Sequence, residues 1–201
     1  MIKILSWNSR GLGHSSKTNA LKDLINEEKL AIVLLQETKQ RQFEISKTIE
    51  YHKRYQGSIS ESRGASGGIA TLWCQDEWNS AAEVIDQHWI KTVLQNNING
   101  QQIVIYNVYA PNHYRDKEVC WNSLSRNIAE EDNKNIIVRG DFNLILHANE
   151  KRGGCFTPNP FRSQLENIMQ QGDLVDVTPK NWKYTWSNHR LGSSNTMEQL
   201  D

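Results

Sequence analysis

Asn135-Ile136-Ile137-Val138-Arg139-Gly140-Asp141-Phe142-Asn143 changes character within a single step: an apolar, strand-like run gives way to a glycine, a carboxylate, an aromatic ring and a carboxamide. Residues two apart on an extended segment point the same way, so Asp141 and Asn143 share a direction. An aspartate so placed can accept a proton from an attacking water while the asparagine holds a reacting oxygen. Taken alone, the tetrad reads more readily as a turn, because Gly, Asp and Asn are turn formers. Its weight comes from what surrounds it in the sequence.

Three other strand-like runs end in the same manner. Ile2 to Trp7 closes on Ser6-Trp7-Asn8, and the apolar run Ala31 to Leu35 stops abruptly at Gln36-Glu37-Thr38. Gln102 to Tyr109 closes on Asn107-Val108-Tyr109-Ala110-Pro111-Asn112. Each run is apolar until its last residues, so core packing is not the expected reason for polarity at these ends. Converging, the candidate residues of the four ends would supply two carboxylates (Glu37 and Asp141), three carboxamides (Asn8, Asn112 and Asn143) and the Tyr109 phenol. Hard oxygen donors of this kind suit Mg²⁺, which takes one or two carboxylates and fills its shell with water and phosphate oxygens. A softer metal would call for a His or Cys cluster, and none is spaced for it. Singly, each residue has a plainer reading: Glu37 a solvated strand-end carboxylate, Asn8 part of a turn with Ser9-Arg10-Gly11, Tyr109 a half-buried strand tyrosine, Asn112 loop.

Around these ends the periodicities alternate between 3.6 and 2. Lys17 to Lys29 reads as a helix with Ala20, Leu21, Leu24 and Ile25 on its apolar face. Asp116 to Glu131 reads as a second, with Val119, Leu124 and Ile128 inward. Arg162 to Gln171 is a third, and Gly172 fits its stop. The run from Ala31 to Leu35 suits a strand buried on both faces. Gly67 to Trp73 reads as a strand after a glycine loop, and His88 to Leu94 pairs with Gln102 to Tyr109 as a hairpin across Asn96 to Gly100. Leu174 to Val177 and Lys183 to Ser187 are the last strand candidates. With hairpins present and no Gly-rich nucleotide loop after the first strand, the fold class is α/β with layered mixed or antiparallel sheets, in one domain over residues 1–201.

The bulk numbers bound the possibilities. Apolar residues make up 37% and charged residues 23% of the 201, a globular composition. The formal net charge is zero, so no global field favours nucleic acid, although a local basic rim is compatible with it. Cys74, Cys120 and Cys155 are odd in number and widely spaced, which fits a reduced, intracellular setting better than a disulfide framework. The N-terminal apolar run is too short for a signal peptide, and no stretch has the ~20 apolar residues of a membrane helix.

Taken in order, Trp7-Asn8-Ser9-Arg10-Gly11-Leu12, Gln36-Glu37-Thr38-Lys39, Ser66-Gly67-Gly68, Asn107 to Asn112, Gly140 to Asn143 and Tyr184-Thr185-Trp186-Ser187-Asn188 resemble the motif series of the endonuclease/exonuclease/phosphatase superfamily, in its apurinic-endonuclease-like branch. The likeness is greatest to endonuclease domains of plant LINE-type (non-LTR) retrotransposons, and Glu150-Lys151-Arg152-Gly153-Gly154 adds to it. It implies a two-sheet α/β sandwich with the site at one end, DNA as partner, a nuclear location, and Mg²⁺ as cofactor with Mn²⁺ as a substitute. By position it makes Glu37 the principal metal ligand with Asn8 beside it. Asp141 orients and deprotonates the attacking water, Asn143 holds the phosphoryl group or water, and Tyr109 and Asn112 contact phosphate. Trp186 stands near the DNA-binding face, where it has two readings: stacking on a base or sugar, or a core tryptophan on a strand.

The resemblance also places a Ser-Asp-His motif on a final strand beyond Asp201, and Asp201 matches the aspartate that orients its histidine. The expectation is a chain short of its last strands, with impaired cleavage and an exposed sheet edge. Of the six histidines, only His113 adjoins a phosphate-contact segment. Two alternatives keep the fold: a non-catalytic nucleic-acid-binding remnant, with Arg10, Lys39, Arg41, Arg139, Lys151 and Arg152 as its rim, or a phosphoesterase acting on a lipid or nucleotide.

Overall fold

The apolar runs become strands, and their burial follows from their alternation. The computed structural model describes residues 2–41, 45, 54–63, 66–132, 135–177, 181 and 184–200. The chain divides into two compact units, Met1–Tyr109 with Asn135–Gly140, and Ala110–Lys134 with Asp141–Asp201.

The first unit is a sandwich of two four-stranded sheets. One has the order β1 (Ile4–Asn8), β2 (Ile32–Gln36), β4 (Ser66–Cys74), β3 (Tyr55–Arg63). The other has the order β5 (Trp78–Ile85), β6 (Trp89–Asn96), β7 (Gln102–Tyr109), β8 (Ile136–Asp141). β1 runs parallel to β2, whereas β2–β4, β3–β4, β5–β6 and β6–β7 are antiparallel. The first sheet is therefore mixed and the second antiparallel from β5 to β7, within the mixed or antiparallel sheets that the sequence predicts. β2 is buried throughout because its two faces serve two cores. Val33 and Leu35 pack with Leu21 and Ile25 of helix α1 (Ser15–Glu28), while Ile32 and Leu34 pack with Trp73, Trp78, Leu94 and Ile105 between the sheets. Each fully buried aliphatic side chain of this kind contributes roughly 1.5–3 kcal/mol.

On α1 the inward face is narrower than predicted. Leu21 and Ile25 are buried, but Leu24 is 38% exposed and Ala20 lies at the surface. Behind α1, the Tyr55 hydroxyl donates a hydrogen bond to the Leu30 carbonyl. Burial, with a smaller push from Cys74, raises this phenol to about 12. The protonated phenol therefore favours the folded state below the ordinary tyrosine value of ~10, and that contribution is lost as pH rises through about 12. Thermal melts between pH 9 and 12 are expected to fall more steeply for wild type than for Tyr55→Phe. Parallel curves would rule out this titration as the cause.

The second unit holds α2 (Tyr114–Ala129), α3 (Arg162–Gln171) and a small antiparallel sheet of order β10 (Trp186–Ser187), β11 (Met197–Glu198), β9 (Lys151–Arg152). Leu124 and Ile128 face inward from α2 as predicted, but Val119 is 68% exposed and Lys117, Cys120 and Trp121 take the buried stripe instead. Gly172 ends α3 with right-handed φ. It is small because a Cβ there would sit 3.0 Å from Ile128 Cγ2, and Asp173 takes the left-handed turn. Leu174 to Val177 is not a strand: Val175 and Val177 are almost wholly exposed and no sheet partner covers them among the described residues. In the Glu150–Gly154 segment, Glu150 Oε2 accepts from the Leu146 N–H at 2.7 Å and Lys151 pairs with Glu198 at 2.7 Å. A Cβ on Gly153 would lie 2.0 Å from the Asn195 carbonyl oxygen, so the motif's glycine is what lets β9 lie against the returning chain.

Candidate active site

In the first unit the candidate residues follow from the β1–β2 pairing, which sets Asn8 opposite Gln36. The pairing continues past the strands: Ser9 N–H donates to the Gln36 carbonyl at 3.0 Å, Gly11 N–H to Glu37 at 2.7 Å, and Leu12 N–H to Thr38 at 2.9 Å. The buried Ser9 hydroxyl reaches the same Gln36 and Glu37 carbonyls. Opposite, Thr38 and Lys39 N–H donate to Gly68 and Gly67. Gly68 must lack a side chain, since its Cβ would fall 2.3 Å from Thr38 Oγ1. Two loops are thus laced together. They hold Arg10, Glu37 and Lys39 at φ of 47°, 52° and 53°, a left-handed conformation uncommon outside glycine.

Within these loops Asn8 Oδ1 accepts from the Arg10 N–H at 3.0 Å, and the Glu37 carboxylate, 18% exposed, pairs with Lys39 at 2.8 Å. Tyr109 ends β7, half-buried, its N–H donating to the His88 carbonyl at 2.8 Å. Beneath lies a polar cluster that the sequence reading did not assign to the core. Gln36 and Asn107 are fully buried, and Gln36 Nε2 donates to Asn107 Oδ1 at 2.6 Å. Asn107 Nδ2 in turn donates to the Ala70 carbonyl at 2.9 Å and Thr71 Oγ1 at 3.2 Å. Polarity at these two strand ends does serve the core, because each amide bonds across the sandwich.

In the second unit Asp141, 6% exposed, and Asn143 form a closed turn. Asn143 N–H donates to Asp141 Oδ1 at 2.9 Å, Asn143 Nδ2 donates to the Ala110 carbonyl at 2.6 Å, and Ala110 N–H donates to the Asp141 carbonyl at 2.8 Å. Asn143 is also left-handed, at φ 48°. The tetrad is therefore both things its sequence allows: a turn, and a carboxylate and a carboxamide in fixed relation. Phe142 stacks on Trp121 with ring centroids 6.2 Å apart, and its N–H donates to the Leu200 carbonyl at 2.8 Å. Lys117, which the sequence reading passed over, donates from Nζ to the Asn143 carbonyl at 2.8 Å. Burial holds its ammonium below the usual lysine range, partly offset by the neighbouring Asp141. The signal was available: Lys117 lies three, four and seven residues before Cys120, Trp121 and Leu124 on the buried stripe.

Asn112 is exposed in the loop before α2, and His113 is the N-cap residue without a side-chain cap bond. Trp186 is half-buried on β10, opposite Glu198. Asp201 lies outside the described residues.

Residues 5–196 match the model of the Endonuclease/Exonuclease/phosphatase family, and the chain belongs to that family. Enzymes of this family are generally divalent-metal dependent, and membership supports phosphodiester hydrolysis in general. No curated protein sequence matches this one.

Solved structures share the fold at low identity. The 3′ phosphatase NExo from Neisseria superposes with a TM-score of 0.73 at 15% identity, over 98% of this chain and 87% of that one. The endonuclease domain of TRAS1, a telomere-specific non-LTR retrotransposon, gives 0.68 at 14%, over 100% and 83%. The AP endonuclease LMAP from Leishmania major gives 0.62 at 16%, over 85% and 66%.

The donor chemistry fits a hard divalent cation. Glu37 and Asn8 offer a carboxylate and an amide oxygen, and the Lys39 ammonium at 2.8 Å is a cation already drawn to Glu37. Among the described residues no group of three or more His, Cys, Asp or Glu forms a metal cluster. A cation held here would take most of its shell from water and phosphate, as Mg²⁺ does.

Proposed function

We propose that this chain is a Mg²⁺-dependent endonuclease of the retrotransposon type that nicks DNA by phosphodiester hydrolysis, Mn²⁺ serving as a substitute. The observation that carries the reading is the backbone of Glu37, a non-glycine residue held left-handed at the end of β2. Such conformations cost of order 1–3 kcal/mol and persist where the surroundings impose them, commonly at functional sites.

Glu37 and Asn8 are the residues that would hold the metal, which when bound would screen phosphate charge and favour hydroxide. Asp141 takes the proton of the attacking water. Asn143, already oriented by its bond to Ala110, holds the phosphoryl group or water. Tyr109 and Asn112 contact phosphate, Trp186 stacks on the nucleic acid, and Asp201 stands at the position of the family carboxylate that orients the histidine of the Ser-Asp-His motif.

The test is conversion of supercoiled plasmid to nicked circle by purified protein. Nicking is expected with Mg²⁺, abolished by EDTA, and reduced ~10²–10⁴-fold in Glu37→Gln. Salt-dependent DNA binding without cleavage would make the chain a binding module instead. Preferential turnover of a phosphoinositide, sphingolipid or nucleotide would move the substrate away from DNA.

A further inference from the structure

Helix α2 holds the Asp141–Asn143 turn at two points. One is apolar, the stacking of Trp121 on Phe142. The other is Lys117, 6% exposed, whose ammonium donates to the Asn143 carbonyl at 2.8 Å. A lysine on a helix's core face loses its hydration, and lysines are almost never buried this deeply unless paired. Its neighbours at i+3, i+4 and i+7 are Cys120, Trp121 and Leu124, all fully buried, so an apolar residue would satisfy the packing. What an apolar residue lacks is a donor for the turn.

Asn143 makes two further bonds of its own in that turn. Its N–H goes to Asp141 Oδ1 and its Nδ2 to Ala110. The carbonyl is the third arm of the same residue, and Lys117 takes it. The titratable groups beside the ammonium are Asp141, from the turn, and Cys120, from its own helix.

We propose that Lys117 is a positioning residue: by gripping the Asn143 carbonyl it fixes the left-handed turn and hence the relative orientation of the Asp141 carboxylate and the Asn143 carboxamide. This rests on the reading of that pair as the water-activating groups. The ammonium acts through the backbone and does not touch substrate.

The experiment compares wild type, K117M and K117R by thermal melting, amide hydrogen exchange and steady-state plasmid nicking with Mg²⁺. K117M matches the length of lysine and suits the apolar stripe, so it is expected to fold. Its Asn143 amide should exchange about 10-fold faster, while amides of α2 keep their protection. Its kcat should fall on the order of 10²-fold with KM nearly unchanged, the size of effect that small misplacement produces. K117R, which keeps charge and donor, should recover most of both. Unchanged exchange at Asn143, a loss confined to KM, or failure of K117R to restore kcat would each overturn the proposal. So would a K117M that does not fold, which would make Lys117 a core residue. If wild type itself fails to nick DNA, the functional reading falls, while the exchange measurement still decides whether Lys117 fixes the turn.

Discussion

Asp141→Asn and Asp141→Ala are both expected to lower Mg²⁺-dependent nicking by about 10²–10⁴-fold, the usual contribution of a positioned general base. The pair separates the proposed proton-accepting role of this carboxylate from its place in the turn. Oδ1 of Asp141 accepts the Asn143 N–H at 2.9 Å, so alanine removes a turn hydrogen bond as well as a base. That bond is worth roughly 1 kcal/mol in stability. Asparagine keeps an acceptor oxygen at the same place but cannot take a proton from water. Equal losses in both variants, with only alanine lowering the melting temperature, are the expected result. An asparagine variant that nicks like wild type would assign Asp141 to the turn alone. Initial rates of nicked-circle formation at saturating Mg²⁺, beside melts of the same preparations, supply both readings.

Gly140→Ala is expected to cost more than 4 kcal/mol, enough to leave little folded protein. Gly140 has φ 147°, and a Cβ built on it falls 1.9 Å from the Val108 carbonyl oxygen and 2.8 Å from the Val108 carbonyl carbon and nitrogen. These are backbone atoms of a central strand, so nothing at the end of a flexible side chain can move aside. Total stability of a domain is ~5–15 kcal/mol, and this single methyl group consumes a large part of it. Gly67→Ala is the matched control. It too has positive φ, at 79°, but a Cβ there meets nothing within 4 Å, so only the conformational penalty remains. Urea unfolding of the two variants should differ by several kcal/mol. Similar midpoints would mean that the Val108 backbone yields.

Strands with long apolar runs were legible because their composition has one explanation. Ile32 to Leu35 must be buried on both faces, and it is. β3 and β5 were not predicted, and both are edge strands. Tyr55-Gln56-Gly57-Ser58-Ile59-Ser60-Glu61-Ser62-Arg63 carries too few apolar residues to look like a strand, yet it pairs with β4 along most of its length. β5 lies at a sheet edge with an irregularity between Ser80 and Ala82, so its residues after Trp78 face mainly water. Val119 and Leu174 to Val177 misled because apolar residues at a plausible spacing carry no information about whether a partner surface exists.

The family was legible in the order of the motifs, since motif spacing survives where periodicity is weak. Lys117 is legible only through its spacing to Cys120, Trp121 and Leu124, since a charged residue in a helix is ordinarily assigned to the wet face. Asn107 was assigned to a strand end for its chemistry, whereas its burial is decided by acceptors that only the tertiary structure supplies.

The buried Gln36–Asn107 pair bears on how the sandwich assembles. Two apolar sheet faces can slide over one another at modest cost, so hydrophobic collapse alone tolerates many near-native alignments. Asn107 does not. Its donors find Ala70, Thr71 and Leu35 only when β7 lies squarely over β2 and β4. A misaligned collapse buries amides with nothing to bond, each at ~1–3 kcal/mol. The native alignment of the sheets is therefore favoured over shifted ones by these bonds. Glu37 follows Gln36 directly and Tyr109 lies two residues after Asn107, so the alignment that satisfies the amides also sets both strand ends in place.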